Sequence, residues 1–281
     1  MARPIHVVTV HWREDRWIDI QLRFLERFCA TPPRVYAFLN GLERDHSERF
    51  FYASSEPIRD HATKLNLLGD MIALAAHPDD FLVFLDGDAL PIAPLDELLD
   101  QALGEHEVVA VRRAENGDLQ PHPCFCAMRA GLWRRISGDW HHGHRWRTDD
   151  GRMVTDVGAN LMATLEREGI AWEPLLRSNR RDLHPLLFGV YGDAIYHHGG
   201  GFRPVAGGRA ALAREGVDSA WNSPLARALD RLPAGRVRRQ LRHRLHPGKR
   251  RKLRLQAEVG ALSDEFFERV RSDPDFYREL I

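Results

Sequence analysis

No stretch of the 281-residue chain approaches the run of about 18 apolar residues that a membrane-spanning helix needs. Its opening, MARPIHVVTV, passes straight into a strand pattern without the apolar core of a secretory leader, so a cytoplasmic location is expected. Cysteine is scarce. Cys29, Cys124 and Cys126 are odd in number and lack zinc-site spacing, which argues against a disulfide framework and favours reduced packing residues, with Cys124 and Cys126 expected on one face of a strand. Net charge is absent as well, because 40 Lys and Arg balance 40 Asp and Glu, and no nucleic-acid partner is expected. Neither an internal repeat nor a low-complexity linker divides the chain. What remains, 43% hydrophobic and 28% charged residues over this length, is the composition of a unit with a substantial core.

The zero balance hides an asymmetry. From Arg227 to Arg254 there are 12 Lys or Arg and one acid, Asp230, which leaves 28 basic against 39 acidic residues elsewhere. Within this segment Val237, Leu241 and Leu245 recur every four residues, with Arg238, Arg239, Arg242 and Arg244 around them. A helix of that pattern docks by its apolar stripe and offers charge outward, so an anionic acceptor, or peripheral attachment at the inner face of a membrane, is expected there.

Along the chain, IHVVTVHW reads as a buried strand and DRWIDIQLRFLERF as a helix with Ile18, Leu22, Leu25 and Phe28 on its apolar face. RVYAFLN follows as a second strand, completing the start of a βαβ unit. Residues 60–76 predict a helix capped by Asp60, and FLVFL is a gapless apolar strand of the kind covered on both faces. A helix at LDELLDQAL, strands EVVAVRR and CFCAMR, and a turn at Ala130-Gly131 come next; past residue 205 the signals are helical. The expected class is α/β, a mixed, mostly parallel sheet flanked by helices, with a first unit over residues 1–205 and a helical extension over 206–281.

Three segments carry chemistry. In FLVFLDGDALPI the strand ends on Asp86, Gly87 and Asp88; in open α/β sheets ligands bind beyond the carboxyl ends of the strands, and if the backbone stays extended both carboxylates point to one side as a hard-cation site. In YGDAIYHHGGGFRP, His197 and His198 precede three glycines and Arg203, so a nitrogen ligand and a phosphate-facing loop lie together; neighbours on a strand diverge, so one of the two histidines reaches a given metal. In RTDDGRMVTDVGANLMATLEREG, Asp156 precedes a helix as its cap or as a reactive carboxylate, and Asp149 and Asp150 read as a solvated turn.

Together these segments resemble the GT-A class of nucleotide-sugar glycosyltransferases over roughly residues 5–205. The resemblance implies a Rossmann-type sheet and a nucleotide-sugar donor clamped through Mn2+ or Mg2+ held by Asp86, Asp88 and a late histidine. The class pattern His-x-x-Gly-x-x-Lys-Pro is matched by His197, Gly200, Arg203 and Pro204 with arginine in place of lysine; a shift of one residue gives the role to His198. It further implies donor contacts from Thr9, His11, Lys64, Asp86 and Arg203, and a catalytic role for Asp156, as base in an inverting enzyme or as an orienting group in a retaining one. A nucleotidyltransferase and a non-enzymatic anion-binding module stand as alternatives, although VVTVHWRED lacks the glycine-rich basic signature of the former.

Overall fold

The computed structural model describes residues 3–147, 151, 153–181, 188–199, 220, 222–231, 235–236, 240 and 245–281. The first strand, β1 (Ile5–Trp12), is buried along nearly its whole length because both faces are covered. It pairs in parallel with β2 (Arg34–Asn40) and β4 (Phe81–Phe84), and β2 with β3 (Tyr52–Ser54). On the far side of β4, β7 (His122–Arg129) runs antiparallel and β6 (Val108–Val111) antiparallel to that, with β10 (Trp172–Leu175) parallel to β6 at the edge. The order β10-β6-β7-β4-β1-β2-β3 is a mixed, mostly parallel sheet.

Alternation along the strands builds two cores. Ile5, Val7, Val35, Ala37, Phe81 and Val83 meet Ile18 and Leu25 of α1 (Ile18–Phe28) and Leu95 and Leu99 of α3 (Leu95–Glu105). Val8, Val10, Tyr36, Phe38, Leu82 and Phe84 face the other way, onto α2 (His61–Ala75), α4 (Ala130–Ile136) and α5 (Ala159–Arg167). Helices on both faces explain why the strands read as gapless apolar runs.

Three expectations need correction. Residues Ala130 and Gly131 open α4 directly from β7 with Arg129 as N-cap, so no turn separates them. On α1 the buried set is Ile18, Ile20, Gln21, Phe24 and Leu25, because a third layer covers a face that a sheet alone would leave wet. Cys124 and Cys126 do not share a face: the pairing of β7 with β6 slips between Ala110 and Val111, whose partners are Cys126 and His122. That irregularity re-aims the strand, and it sends Cys124 into the α1/α3 core and Cys126 into the α2/α4 core. All three cysteines are free and buried.

A second sheet, β11-β12-β5, is antiparallel and joins β5 (Ala89–Pro91) to the hairpin of β11 (Gly189–Tyr191) and β12 (Ile195–His197). A small β8 (Trp146–Arg147) and β9 (Met153–Val154) ladder lies apart from both sheets. At the C-terminal end α6 (Pro224–Arg231) and the long α7 (Pro247–Ser272) follow. Phe266, Phe267 and Val270 of α7, with Phe276, Tyr277 and Leu280, pack on Trp17, Ile20 and Phe24 and on Leu90, Val190 and Tyr196. Arg23 donates to the carbonyls of Val270 and Arg271, orphan acceptors at the end of α7, and Arg27 to that of Pro274 just beyond it. Val237, Leu241, Arg238, Arg239, Arg242 and Arg244 lie outside the described residues; Leu245 is exposed. Among the described residues no helix is long and apolar enough to cross a membrane.

Candidate active site

The site is built where β4 leaves the main sheet. After Phe84 the chain turns, with the Ala89 N–H donating to the Asp86 carbonyl at 2.8 Å, and re-emerges as β5. The two carboxylates therefore converge through a tight turn, not through the extended backbone that strand alternation suggests. The turn is held from beneath. Gln21 donates from Nε2 to the carbonyls of Asp86 (2.8 Å) and Ala89 (3.1 Å) and accepts from Thr9 Oγ1 at 2.9 Å, tying the loop to β1. Above it, His61, the first residue of α2, places Nε2 3.1 Å from Asp86 Oδ1. Asp60 is the α2 cap, accepting from the Thr63 N–H at 2.7 Å.

The second sheet delivers the histidine. Because His197 pairs with Ala89 across β12 and β5, its side chain arrives beside the residue that precedes Ala89. His197 Nε2 lies 3.5 Å from Asp88 Oδ1, and ligand atoms of Asp86, Asp88 and His197 all fall within 4.8 Å of one another. His198 is not part of the cluster. Its ring points the other way, with Nδ1 2.8 Å from Tyr196 Oη and Nε2 2.8 Å from Ser263 Oγ, packed against Trp17 and Phe188. Burial lowers its pKa to about 3, so the ring is neutral there, donating through one nitrogen and accepting through the other. Burial alone would also lower His197, but the Cys124 thiol and the Asp88 carboxylate beside it push it well above the ordinary imidazole value. His122 stands next to it, ring centres 5.8 Å apart.

Two carboxylates and one imidazole, confined to this volume, are a donor set that suits a hard or borderline divalent cation such as Mg2+ or Mn2+. Asp88 and His197 are almost wholly buried, so a cation there would meet few competing waters.

The remaining expected residues fall in three positions. Thr9 and His11 are fully buried beneath the site; His11 packs on Phe50, and burial lowers its pKa to about 4. Lys64 is 2% exposed, its ammonium 4.2 Å from the centre of the Trp12 ring at the carboxyl end of β1, and burial lowers it to about 8 despite the pull of Asp60. A cation on an aromatic face with no carboxylate in contact among the described residues is poised to meet an anion. Asp156 is not a cap: Gly158 is the N-cap of α5, at φ 92° with the Pro121 carbonyl 2.3 Å from where a Cβ would stand. Instead Asp156 accepts from Val157 N–H at 2.9 Å and from Arg113 Nη2 at 3.4 Å, and Arg113 is shared with Asp118 at 2.7 Å. Arg203, Gly200, Pro204, Asp149 and Asp150 lie outside the described residues.

Gln21, His61 and Arg113 escaped the sequence reading, and Cys124 reads there as a packing residue alone. Gln21 left one trace, a polar side chain inside the apolar stripe of α1; the others depend on strand pairings that no local pattern encodes.

No protein-family model and no curated protein matches the chain. Solved structures do. Glycosyltransferase GlyE of Streptococcus pneumoniae TIGR4 superposes at a TM-score of 0.36 and 12% identity, over 62% of this chain and 45% of that one. The mannosyltransferase PcManGT of Pyrobaculum calidifontis, in complex with GDP-Man and Mn2+, gives 0.39 and 14% over 93% and 76%. Glucosyl-3-phosphoglycerate synthase of Mycobacterium tuberculosis, in complex with Mn2+, UDP-glucose and phosphoglyceric acid, gives 0.41 and 18% over 62% and 69%. These neighbours are glycosyltransferases. This chain spans less than half the length of GlyE, and all three TM-scores lie below 0.5, so the function proposed below rests on the geometry of this chain alone.

Proposed function

We propose that the protein is a metal-dependent glycosyltransferase that moves a sugar from a nucleotide-sugar donor to a hydroxyl acceptor. The convergence of Asp86, Asp88 and His197 at the carboxyl end of β4 carries this reading, because it combines a cation's donor set with the position where α/β sheets bind nucleotides.

In this reading Asp86, Asp88 and His197 hold Mn2+ or Mg2+, which when bound supplies Lewis-acid stabilisation of the departing diphosphate. Gln21, fixed by Thr9, keeps the Asp86–Ala89 turn in the shape that aims both carboxylates. Lys64, lying over Trp12, adds a fixed positive charge for the phosphates, and Arg203 is assigned the same task from the glycine-rich loop. His11 supports the nucleoside end of β1 from below. Asp156 already accepts from Arg113 and Val157 N–H and so serves to orient sugar hydroxyls. The basic C-terminal segment remains the proposed contact for an anionic acceptor or membrane surface.

A thermal-shift panel of nucleoside diphosphates and triphosphates, with and without manganese, tests the reading. Stabilisation by one nucleoside diphosphate that requires manganese and vanishes in Asp88→Asn supports it. Equal stabilisation of the variant, or none of the native protein, rejects it.

A further inference from the structure

A second acid and histidine pair lies across the first turn of α2 from the cation cluster, in the loop after α4. Trp140, wedged against Phe84 (ring centres 5.0 Å) and Trp133, anchors that loop, and its backbone N–H donates to Asn66 Oδ1 at 2.9 Å. The neighbours on either side are thereby fixed. Asp139 accepts from Asn66 Nδ2 (2.8 Å), Asn160 Nδ2 (2.7 Å) and the His141 N–H (2.9 Å), and its Oδ1 lies 2.7 Å from His141 Nδ1. Burial alone would raise the Asp139 pKa, but these donors bring it down to about 2, so the carboxylate stays ionised and only accepts. Asn66 Nδ2 also lies 3.1 Å from His141 Nδ1, but the shorter contact to an ionised carboxylate favours a proton on Nδ1.

The opposite nitrogen, Nε2, is 3.1 Å from Thr63 Oγ1 and 3.6 Å from Asp60 Oδ2. Thr63 gives its one hydroxyl proton to Asp60, at 2.8 Å. Neither neighbour therefore offers Nε2 a hydrogen, and the network closes only once Nε2 itself has gained one and can donate to Thr63. The imidazolium so formed would lie between Asp139 and Asp60, with His142, His144 and Arg145 the other charged or titratable groups of the loop. The His141 side chain is 43% exposed, open to a ligand. Asp60 and Thr63, which touch it, belong to the same N-terminal turn of α2 as His61, which touches Asp86, so both pairs meet that turn.

We propose that His141, oriented by Asp139, is the general base of the transfer, receiving the proton of the acceptor hydroxyl on Nε2. The inference rests on the glycosyltransferase reading. The hydroxyl oxygen forms its bond to the anomeric carbon as the bond from that carbon to the diphosphate oxygen breaks; the electron pair leaves with the nucleoside diphosphate, and the hydroxyl proton passes to Nε2. One displacement of this kind inverts the anomeric centre. With water in place of the acceptor, the same base acts in slow donor hydrolysis.

Hydrolysis gives the test without knowledge of the acceptor. A panel of UDP-, GDP-, ADP-, CMP- and dTDP-sugars is incubated with manganese, and nucleotide release is measured for the native protein and for His141→Ala and His141→Gln. The expected result is a kcat lowered about 10²- to 10⁴-fold in both variants, with an unchanged donor KM, an unchanged nucleotide-dependent thermal shift, and partial recovery of His141→Ala by added imidazole. A merely structural histidine would not be rescued by imidazole. A kcat within about threefold of native, or a loss that imidazole does not restore, overturns the assignment, as does loss of nucleotide binding in both variants. Failure of the native protein to release nucleotide from any donor is a different result: it rejects the parent reading together with the base.

Discussion

Two acid and histidine pairs stand on either side of the first turn of α2, alike in composition and unlike in burial. Asp88 and His197 have side chains 6% and 11% exposed, in the joint between two sheets; Asp139 and His141 are 33% and 43% exposed, on a loop tied to two helices. The buried pair has little room to move, a condition that favours a fixed cation. Its counterpart has a half-exposed ring while three donors immobilise the carboxylate, conditions that favour proton exchange with a ligand. Burial, more than residue type, separates a ligand set from an acid–base pair.

The sharpest break in this comparison comes from the buried side. Asp88→Asn is expected to lower manganese-dependent nucleotide affinity by at least about 100-fold, with little change in fold, as read by calorimetric titration and circular dichroism. Unchanged manganese dependence would move the cation elsewhere.

Next in size is the contrast between neighbours on β12. His197→Ala should weaken manganese affinity about 10- to 100-fold while Tm moves little. His198→Ala should leave manganese affinity alone and cost about 3 kcal/mol in stability, since it opens a void among aromatics and strands the Tyr196 and Ser263 hydroxyls. Chemical denaturation and metal titration of both variants would show whether the two effects separate; identical profiles would refute the division.

An acid titration of stability follows. Burial lowers His11 from 6.5 to about 4, so the unfolded chain takes up the proton first; stability present above pH 6.5 is lost as pH falls towards 4, by an amount on the order of 3 kcal/mol. Urea midpoints of the native protein and His11→Asn across that window should diverge, and parallel curves would contradict it.

The smallest effect belongs to Lys64. With its pKa near 8, the ammonium loses charge as pH rises past that value, so nucleoside diphosphate affinity should fall several-fold between about pH 7 and 9, and Lys64→Met should flatten the profile. An equal slope in the variant would detach Lys64 from the phosphates.

How much of this was legible in the sequence depends on the range of the interactions. β1, α1, β2, α2 and β4 could be read from apolar runs and periodicity, and the Asp60 cap from one residue type at a helix start, because their causes are local. Asp86 and Asp88 could be located by the same logic, although a turn, and not strand alternation, brings them together. The choice of His197 over His198 was beyond reach, since it is made by the pairing of β12 with β5 about a hundred residues earlier in the chain. The opposite faces of Cys124 and Cys126 come from a register slip against β6, and Asp139 and His141 gain meaning only when α2, α5 and their loop meet.

The seam of Arg23 and Arg27 against the end of α7 joins residues 247 or 248 positions apart. During synthesis the outer face of α1, with Trp17 and Phe24, must therefore wait uncovered until residues 266–280 have emerged from the ribosome. Contacts so distant in sequence close late and slowly. The strand that carries His197 shares this seam through Tyr196, so nascent chains should mature in a single late event, and chaperone dependence should concentrate in that interval.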